Sequence, residues 1–133
     1  MQNGAEQAFK IRFDVETGVV RVLLNRELSE EQFTRYRDEM AGAVSKARSA
    51  SPIARVLIDG RELEEMPATA PDRIARLGQM YTPDDRIAMI VRSSLLKIET
   101  RRVAHSECVQ GFVSEHAAWT WLMAYSVPNT SAA

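Results

Sequence analysis

A chain of 133 residues is long enough to bury a hydrophobic core as a single domain without disulfides or metal ions. Its 17 basic and 18 acidic residues give a net charge of -1, so nothing in the charge favours nucleic acid or an anionic membrane as the main partner. The longest apolar run, residues 87–91, is far shorter than the roughly 20 residues that cross a bilayer. Cys108 has no second cysteine to pair with, and the N-terminal residues do not resemble a signal peptide, so we expect a cytoplasmic protein.

The first elements predicted along the chain are two strands joined by a short turn. Apolar and polar residues alternate over 9–14, which is the period of a half-exposed strand. Residues 16–18 supply the turn, and the more apolar residues 19–24 complete an antiparallel hairpin. We expect residues 1–8 to be a flexible N-terminus that precedes the folded domain.

A helix is predicted to begin just after Leu28. Ser29 and Gln32 have the spacing of a capping box, and Leu28 and Phe33 have that of a hydrophobic staple. Apolar residues then recur at helical spacing and should pack on the sheet, namely Phe33, Tyr36, Met40, Val44 and Ala47. The sequence at 50–52 ends this helix.

Two aliphatic segments predict the centre of the sheet. Residues 54–59 and 86–91 are aliphatic without regular alternation, which is typical of parallel strands buried on both faces. Between them, Thr69 with Asp72 three residues on indicates the start of a second helix, and residues 82–85 form a turn. We therefore expect the two segments to lie side by side in the middle of the sheet.

The third predicted helix has a less regular pattern than the first two. Ser93 or Ser94 caps it, and its apolar residues share an arc with Glu99 and Arg102. These two charged residues either form a surface ion pair or line a pocket under the helix. Residues 109–113 form the last predicted strand.

A final helix is predicted to begin after Ser114 and to run to roughly residue 126. Its core stripe contains Ala118, Trp121, Leu122 and Tyr125. Trp119 and Met123 point away from that stripe and would form an apolar patch that a second copy covers in a homodimer. We expect residues 127–133 to be a flexible tail.

Three segments, together with the order of the elements from Phe9 to Tyr125, carry a family resemblance. They are Glu27-Leu28-Ser29-Glu30-Glu31, Val56-Leu57-Ile58-Asp59, and residues 86–91 with Phe112-Val113-Ser114-Glu115 continuing to Ala118, Trp121 and Leu122. The pattern resembles the STAS-like, or SpoIIAA-like, fold of anti-sigma-factor antagonists and of uncharacterised small bacterial proteins of the STAS/SEC14 group. The resemblance implies an α/β single domain over residues 9–126, in which an N-terminal antiparallel hairpin precedes alternating strands and helices and helices pack on a mixed sheet.

The chain departs from the antagonists at the start of the second helix. In those proteins a phosphoacceptor serine follows an aspartate there, whereas this chain has Ala68-Thr69-Ala70-Pro71 and no Asp-Ser pair. The resemblance therefore implies the scaffold without the kinase-linked switch. Thr69 is either a phosphoacceptor at a helix N-terminus or an N-cap, and the missing motif favours the N-cap.

The carboxyl end of the strand at 54–59 is the main candidate for a functional surface, because ligands of open α/β sheets gather at such ends. Asp59 and Arg61 are placed to hold a polar ligand, although an aspartate after a parallel strand is more often a turn former. We predict a surface for a partner or ligand formed by Asp59, Arg61, Thr69 and Arg73.

Metal and cofactor chemistry is not expected. His105, Cys108 and His116 are too few and too scattered for a zinc site, and Cys108 is predicted to be a small buried hydrophobe. The glycines form no phosphate-binding loop, so we expect no cofactor. Glu62, Glu64 and Glu65 form a charge run that is most simply a solvated surface, with acid chemistry or metal binding as the alternatives.

These observations favour a non-enzymatic protein-interaction or regulatory module whose partner surface is the loop at 60–69 and the second helix. The alternative is a small cytosolic binder of an apolar or lipid-like ligand, with a cavity between the sheet and the helices at 70–81 and 94–106, by analogy with SEC14-type proteins. A third hypothesis is an enzyme that uses Asp59, Glu99 or His105 as general acid or base.

Overall fold

The computed structural model describes residues 7–104 and 107–124, which form one five-stranded sheet, four α-helices and a short 3-10 helix at Gly78–Met80. The strands are β1 (Phe9–Asp14), β2 (Val19–Leu24), β3 (Arg55–Asp59), β4 (Arg86–Ile90) and β5 (Val109–Phe112). The helices are α1 (Glu30–Ala50), α2 (Ala70–Leu77), α3 (Ser94–Ala104) and α4 (Glu115–Ala124). The expectations for residues 1–6, His105, Tyr125 and the tail at 127–133 lie outside the described residues.

The strands follow one another across the sheet in chain order. Strands β1 and β2 pair antiparallel, and Gly18 allows the tight turn between them by adopting a φ of 76°. Strands β2 to β5 are parallel to one another, so β3 has β2 on one side and β4 on the other. The prediction of two central parallel strands is confirmed.

The two faces of the sheet have separate hydrophobic cores. Because side chains alternate along a strand, Val56 packs in the core under α1, whereas Leu57 packs in the core under α4. The whole predicted stripe of α1 is buried in the first core, and Ala118 and Leu122 of α4 are buried in the second. Trp121 is only half-buried and packs against the edge of that core.

Serine hydroxyls cap the amino-terminal ends of three of the four α-helices. In the capping box of α1, the Gln32 amide N–H donates to Ser29 Oγ at 3.1 Å, and the Ser29 amide N–H donates to Gln32 Oε1 at 2.8 Å. Ser93 Oγ accepts from the amide of Leu96 at the start of α3, and Ser114 Oγ accepts from the amide of Ala117 at the start of α4. These predicted caps are confirmed.

Helix α4 lies alone on its face of the sheet, over β3, β4 and β5. On that face Val19 of β2 is buried in the core under α4, whereas Lys10 and Arg12 of β1 are exposed. Ala8, which comes just before β1, was expected to belong to a flexible N-terminus. It is buried instead, and its carbonyl accepts a hydrogen bond from the amide of Asn25 at 2.8 Å. Among the described residues no helix is both long and apolar enough to cross a membrane.

Candidate functional site

Asp59 and Arg61 form a closed ion pair where β3 ends. Asp59 Oδ1 accepts from the backbone amide and the Nε of Arg61 at 3.1 and 3.0 Å, and Oδ2 accepts from Nη2 at 2.8 Å. The hydrogen bonds from the Arg61 side chain lower the pKa of Asp59, although partial burial opposes them, and the pair raises the pKa of Arg61. Asp59 is therefore ionised at neutral pH. Its carboxylate oxygens already accept hydrogen bonds from Arg61, so the residue acts as a turn former.

This ion pair continues into a chain of charges along the start of α4. Arg61 Nη2 lies 3.3 Å from one oxygen of Glu115, and the other oxygen of Glu115 lies 3.9 Å from Arg21 on β2. The guanidinium of Arg21 also lies 5.3 Å from the ring centre of Trp119. All these groups are at least partly exposed, so each pair contributes less than about 1 kcal/mol, but together they orient α4 against the sheet.

A cleft lies between the connection from β2 to α1 and the loop that follows β3. It has a volume of about 440 Å³ and is lined by Asn25, Arg26, Glu27, Glu62, Leu63, Glu64, Glu65, Met66, Pro67 and Ala68. We call it the acidic cleft, because its lining residues include four glutamates and one arginine, Arg26. Arg92, just beyond β4, supports the loop by donating to the Arg61 carbonyl at 2.9 Å and by lying 3.9 Å from Glu64.

Thr69 stands at the predicted start of α2 but does not cap it. Its φ of -79° and ψ of -8° are helical rather than extended, so its hydroxyl does not face the free amides of the first turn. The hydroxyl instead donates to Glu27 Oε2 at 3.3 Å, at the edge of the acidic cleft. The favoured capping role of Thr69 is therefore wrong, and its side chain links the two walls of the cleft.

Arg73 is buried rather than displayed on the surface. It is 9% exposed, donates to the Leu28 carbonyl at 2.7 Å and to Glu30 at 3.1 Å, and places its guanidinium 4.8 Å from the ring centre of Phe33. These contacts join α2 to the start of α1. The expectation that Arg73 lies on an exposed partner surface is wrong, because it packs on the aromatic staple of α1.

A second cleft, of about 250 Å³, lies beside the start of α4, where the sheet face meets the hairpin of β1 and β2. We call it the hairpin cleft; it is lined by Lys10, Arg12, Arg21, Val22, Leu23, Leu57, Asp59, Ile90 and Glu115. Glu99 is half-buried and Arg102 exposed on α3, and neither lines the acidic cleft or the hairpin cleft. The predicted apolar cavity beneath α2 and α3 thus gains no support from these two clefts.

The remaining candidate residues do not come together. Trp119 is half-buried under Arg21, and Met123 is 41% exposed, so the expected dimer patch is smaller than the sequence suggested. Cys108 is buried, as predicted, and His116 is exposed. Within the described ranges no three histidine, cysteine or acidic residues are placed to share a metal ion.

Sequence reasoning missed the second wall of the acidic cleft and the cations of the hairpin cleft. Glu27 was considered only as part of the entry to α1, and Lys10, Arg12 and Arg21 were not considered as site residues. The alternation over residues 9–14 offered a signal, because it places Lys10 and Arg12 together on the polar face of β1.

This arrangement of sheet and helices is the STAS-like fold expected from the sequence. A solved structure of an uncharacterised protein of the DUF3478 family with a SpoIIAA-like fold, from Shewanella loihica PV-4, matches with a TM-score of 0.63 and 21% identity, over 86% of this chain and 92% of that chain. A solved anti-sigma-factor antagonist (STAS) domain protein from Planctomyces limnophilus matches with a TM-score of 0.58 and 16% identity, over 88% of this chain and 98% of that chain. No protein-family model and no curated protein sequence matches the chain. At these identities the likeness shows the fold.

Proposed function

We propose that this chain is a non-enzymatic protein-interaction module, of regulatory type, that binds a basic segment of a partner protein in the acidic cleft. The observation that carries the proposal is the concentration of Glu27, Glu62, Glu64 and Glu65 around one groove at the carboxyl end of the central strands. Carboxylates on a groove steer and orient a segment of opposite charge. The Planctomyces limnophilus neighbour carries the name of an anti-sigma-factor antagonist (STAS) domain protein, and a role directed at another protein agrees with the proposal.

The charges of the acidic cleft are accessible to a partner. The Glu64 side chain is 82% exposed and lies 3.9 Å from Arg92, and Glu62 and Glu65 are exposed as well. Leu63 lies between Glu62 and Glu64 in the chain, Met66 follows Glu65, and both apolar side chains are half-buried. A partner segment therefore finds apolar contact flanked by carboxylates, which suits a segment that alternates lysine or arginine with apolar residues.

The state of Asp59 supports a binding role over catalysis. A general base works best when its pKa lies near the working pH. The lowered pKa of Asp59 makes it a weak base at neutral pH, and the three hydrogen bonds from Arg61 occupy its oxygens. In the proposed module this ion pair fixes the shape of the loop that carries the glutamates.

Site-specific photo-crosslinking tests the proposal. A photo-reactive amino acid replaces Ala68, which is exposed and lines the acidic cleft, or Ala41, an exposed alanine on α1 that serves as the matched control. In cells that naturally produce the protein, we expect a discrete protein to be crosslinked from position 68 and not from position 41. Crosslinking of the same proteins from both positions, or of none from position 68, contradicts the proposal.

A further inference from the structure

Helix α3 presents an outer face that mixes aliphatic and basic side chains. Leu95 is 65% exposed and Ile98 is 55% exposed. Three exposed cations of the helix lie on the same side, namely Lys97, Arg101 and Arg102. At about 100° per residue these five side chains span roughly 160° of the helix, and the buried Leu96 and Thr100 lie on the other side. We call this surface the basic face of α3.

The cations of the basic face have no counter-charge in the part of the chain that the structure describes. None of the three forms an ion pair with a carboxylate of the described residues. The one acidic residue of α3, Glu99, is half-buried at the border of the face. The basic face therefore combines positive charge with exposed aliphatic surface, and this is the chemistry that the acidic cleft is suited to bind.

The basic face begins beside the acidic cleft. Arg92, two residues before α3, donates to the Arg61 carbonyl at 2.9 Å and lies 3.9 Å from Glu64, which lines the cleft. Because β4 and β5 are parallel, α3 runs back from the carboxyl end of the sheet towards its amino end. Arg101 and Arg102 therefore lie roughly 10 to 12 Å along the helix from its first residue. The acidic cleft and the basic face are thus neighbouring patches of opposite charge.

The two patches together make a surface that is complementary to itself. A two-fold rotation places the acidic half of one copy on the basic half of the other, and does so twice. We propose that two copies of this chain form a dimer in which the basic face of each α3 covers the acidic cleft of the other. The aliphatic side chains of α3 then cover Leu63 and Met66, which are half-buried in the cleft. The dimer closes the acidic cleft, so a basic segment of a partner protein has to displace the second copy.

Analytical ultracentrifugation of the full chain tests the dimer. We expect the average mass to rise from that of one chain towards that of two as the concentration increases from about 1 to 200 µM. Raising the salt concentration from about 50 to 500 mM should weaken the dimer about fivefold or more. Leu95→Ser with Ile98→Ser should weaken it about tenfold. The matched control is Val15→Ser, which removes an 80% exposed apolar residue in the turn between β1 and β2 and should change dimer affinity less than about twofold.

Two charge-reversed variants identify the surfaces that meet. The first reverses the cleft with Glu62→Lys, Glu64→Lys and Glu65→Lys, and the second reverses the helix with Lys97→Glu, Arg101→Glu and Arg102→Glu. Each variant alone sets like charges against each other at both contacts, so each should be monomeric. An equal mixture of the two should form a heterodimer, because both contacts then join opposite charges. The control reverses three exposed cations elsewhere, Lys10→Glu, Arg12→Glu and Lys46→Glu, and should dimerise as the wild type does.

The outcomes separate this dimer from the proposed function, which uses the same cleft. A wild type that stays monomeric, or a mixture of the two variants without a heterodimer, overturns the dimer. Assemblies that grow beyond two copies also overturn it, because they indicate a head-to-tail contact. A monomeric chain that still crosslinks a different protein from position 68 would refute the dimer alone. A dimer without such a crosslink would refute the proposed function alone.

Discussion

Arg48 holds the fully buried carboxylate of Asp85 through two parallel hydrogen bonds of 2.9 and 2.6 Å, although 37 residues separate them. Asp85 also accepts from the backbone amides of Ala54 and Thr82, each at 2.8 Å. This one side chain therefore joins the last turn of α1, the residue before β3 and the turn before β4. It aligns the amino ends of the two central strands, whose carboxyl ends carry the acidic cleft and the hairpin cleft.

Replacing Asp85 by alanine should lower the free energy of unfolding by about 3 kcal/mol, because it strips a partly buried guanidinium and a buried amide of their acceptor. Urea unfolding followed by circular dichroism measures the change. The matched control is Asp72→Asn, which removes an exposed ion pair with Arg76 and should cost less than about 0.5 kcal/mol. Equal effects of the two substitutions would show that the Asp85 cluster does not hold the strands.

The same carboxylate should make stability depend on pH in acid. Burial raises the pKa of Asp85, but the hydrogen bonds from Arg48 and from the amides of Ala54 and Thr82 outweigh it and hold the pKa below its ordinary value of 3.8. Because the folded pKa is depressed, the stabilisation is complete well above pH 3.8 and is lost as the pH falls through the folded value. The difference in unfolding free energy between the wild type and Asp85→Asn should be constant from about pH 5 to 7 and shrink below about pH 4. A difference that grows on acidification contradicts this assignment.

Alanine substitutions at Ser29 and Thr69, the two predicted helix starts, should change the free energy of unfolding by different amounts. Ser29→Ala removes a formed capping box and should cost about 1 kcal/mol of unfolding free energy. Thr69→Ala removes only the exposed contact with Glu27, and the change should stay within about 0.5 kcal/mol. Chemical denaturation of both variants measures these free energies. If Thr69→Ala lowers the unfolding free energy as much as Ser29→Ala does, Thr69 is a helix cap after all.

Gly111 brings β5 close to α3, and an added methyl group should disturb that contact. A Cβ at this position would lie 3.3 Å from the carbonyl oxygen of Lys97 and 3.4 Å from Thr100 Cβ. We expect Gly111→Ala to cost about 1 to 2 kcal/mol. Gly42→Ala is the control, since the space around Gly42 inside α1 is empty, and it should stabilise the chain by roughly 0.5 to 1 kcal/mol. The midpoint temperature of thermal unfolding should fall in Gly111→Ala and rise in Gly42→Ala. A shift of both midpoints in the same direction would count against the close approach of β5 and α3.

Local patterns predicted most of the scaffold because each depends on near neighbours. The capping box at Ser29, the stripe of α1 and the two aliphatic strands all formed as expected, and the predicted strand at 86–91 ends one residue early, at Ile90. The turn at 82–85 was also expected, yet its pattern does not reveal that Asp85 meets Arg48. That contact depends on how the chain folds between residues 48 and 85, and the spacing of neighbouring residues does not predict it.

The structure brings some of the predicted site residues together and separates others. Asp59 and Arg61 lie at the carboxyl end of β3, the position that the rule for open α/β sheets indicated. The side chain of Arg73 is buried because it is long enough to stack on Phe33 while its guanidinium donates hydrogen bonds to Leu28 and Glu30. The walls of both clefts come from segments far apart in sequence, such as 25–27 and 62–68, and only the strand register brings them together.

The most direct measurement is the affinity of the purified partner, identified by crosslinking at position 68, for a variant in which Glu62, Glu64 and Glu65 are all replaced by glutamine. Three rim carboxylates at roughly 0.5 kcal/mol each predict an affinity about tenfold weaker than that of the wild type. The control replaces three exposed acids elsewhere, Glu16→Gln, Asp38→Asn and Glu39→Gln, and should change affinity less than about twofold. If calorimetry at physiological salt finds the same affinity in the wild type and in the glutamine variant of the cleft, the acidic cleft is not the binding surface.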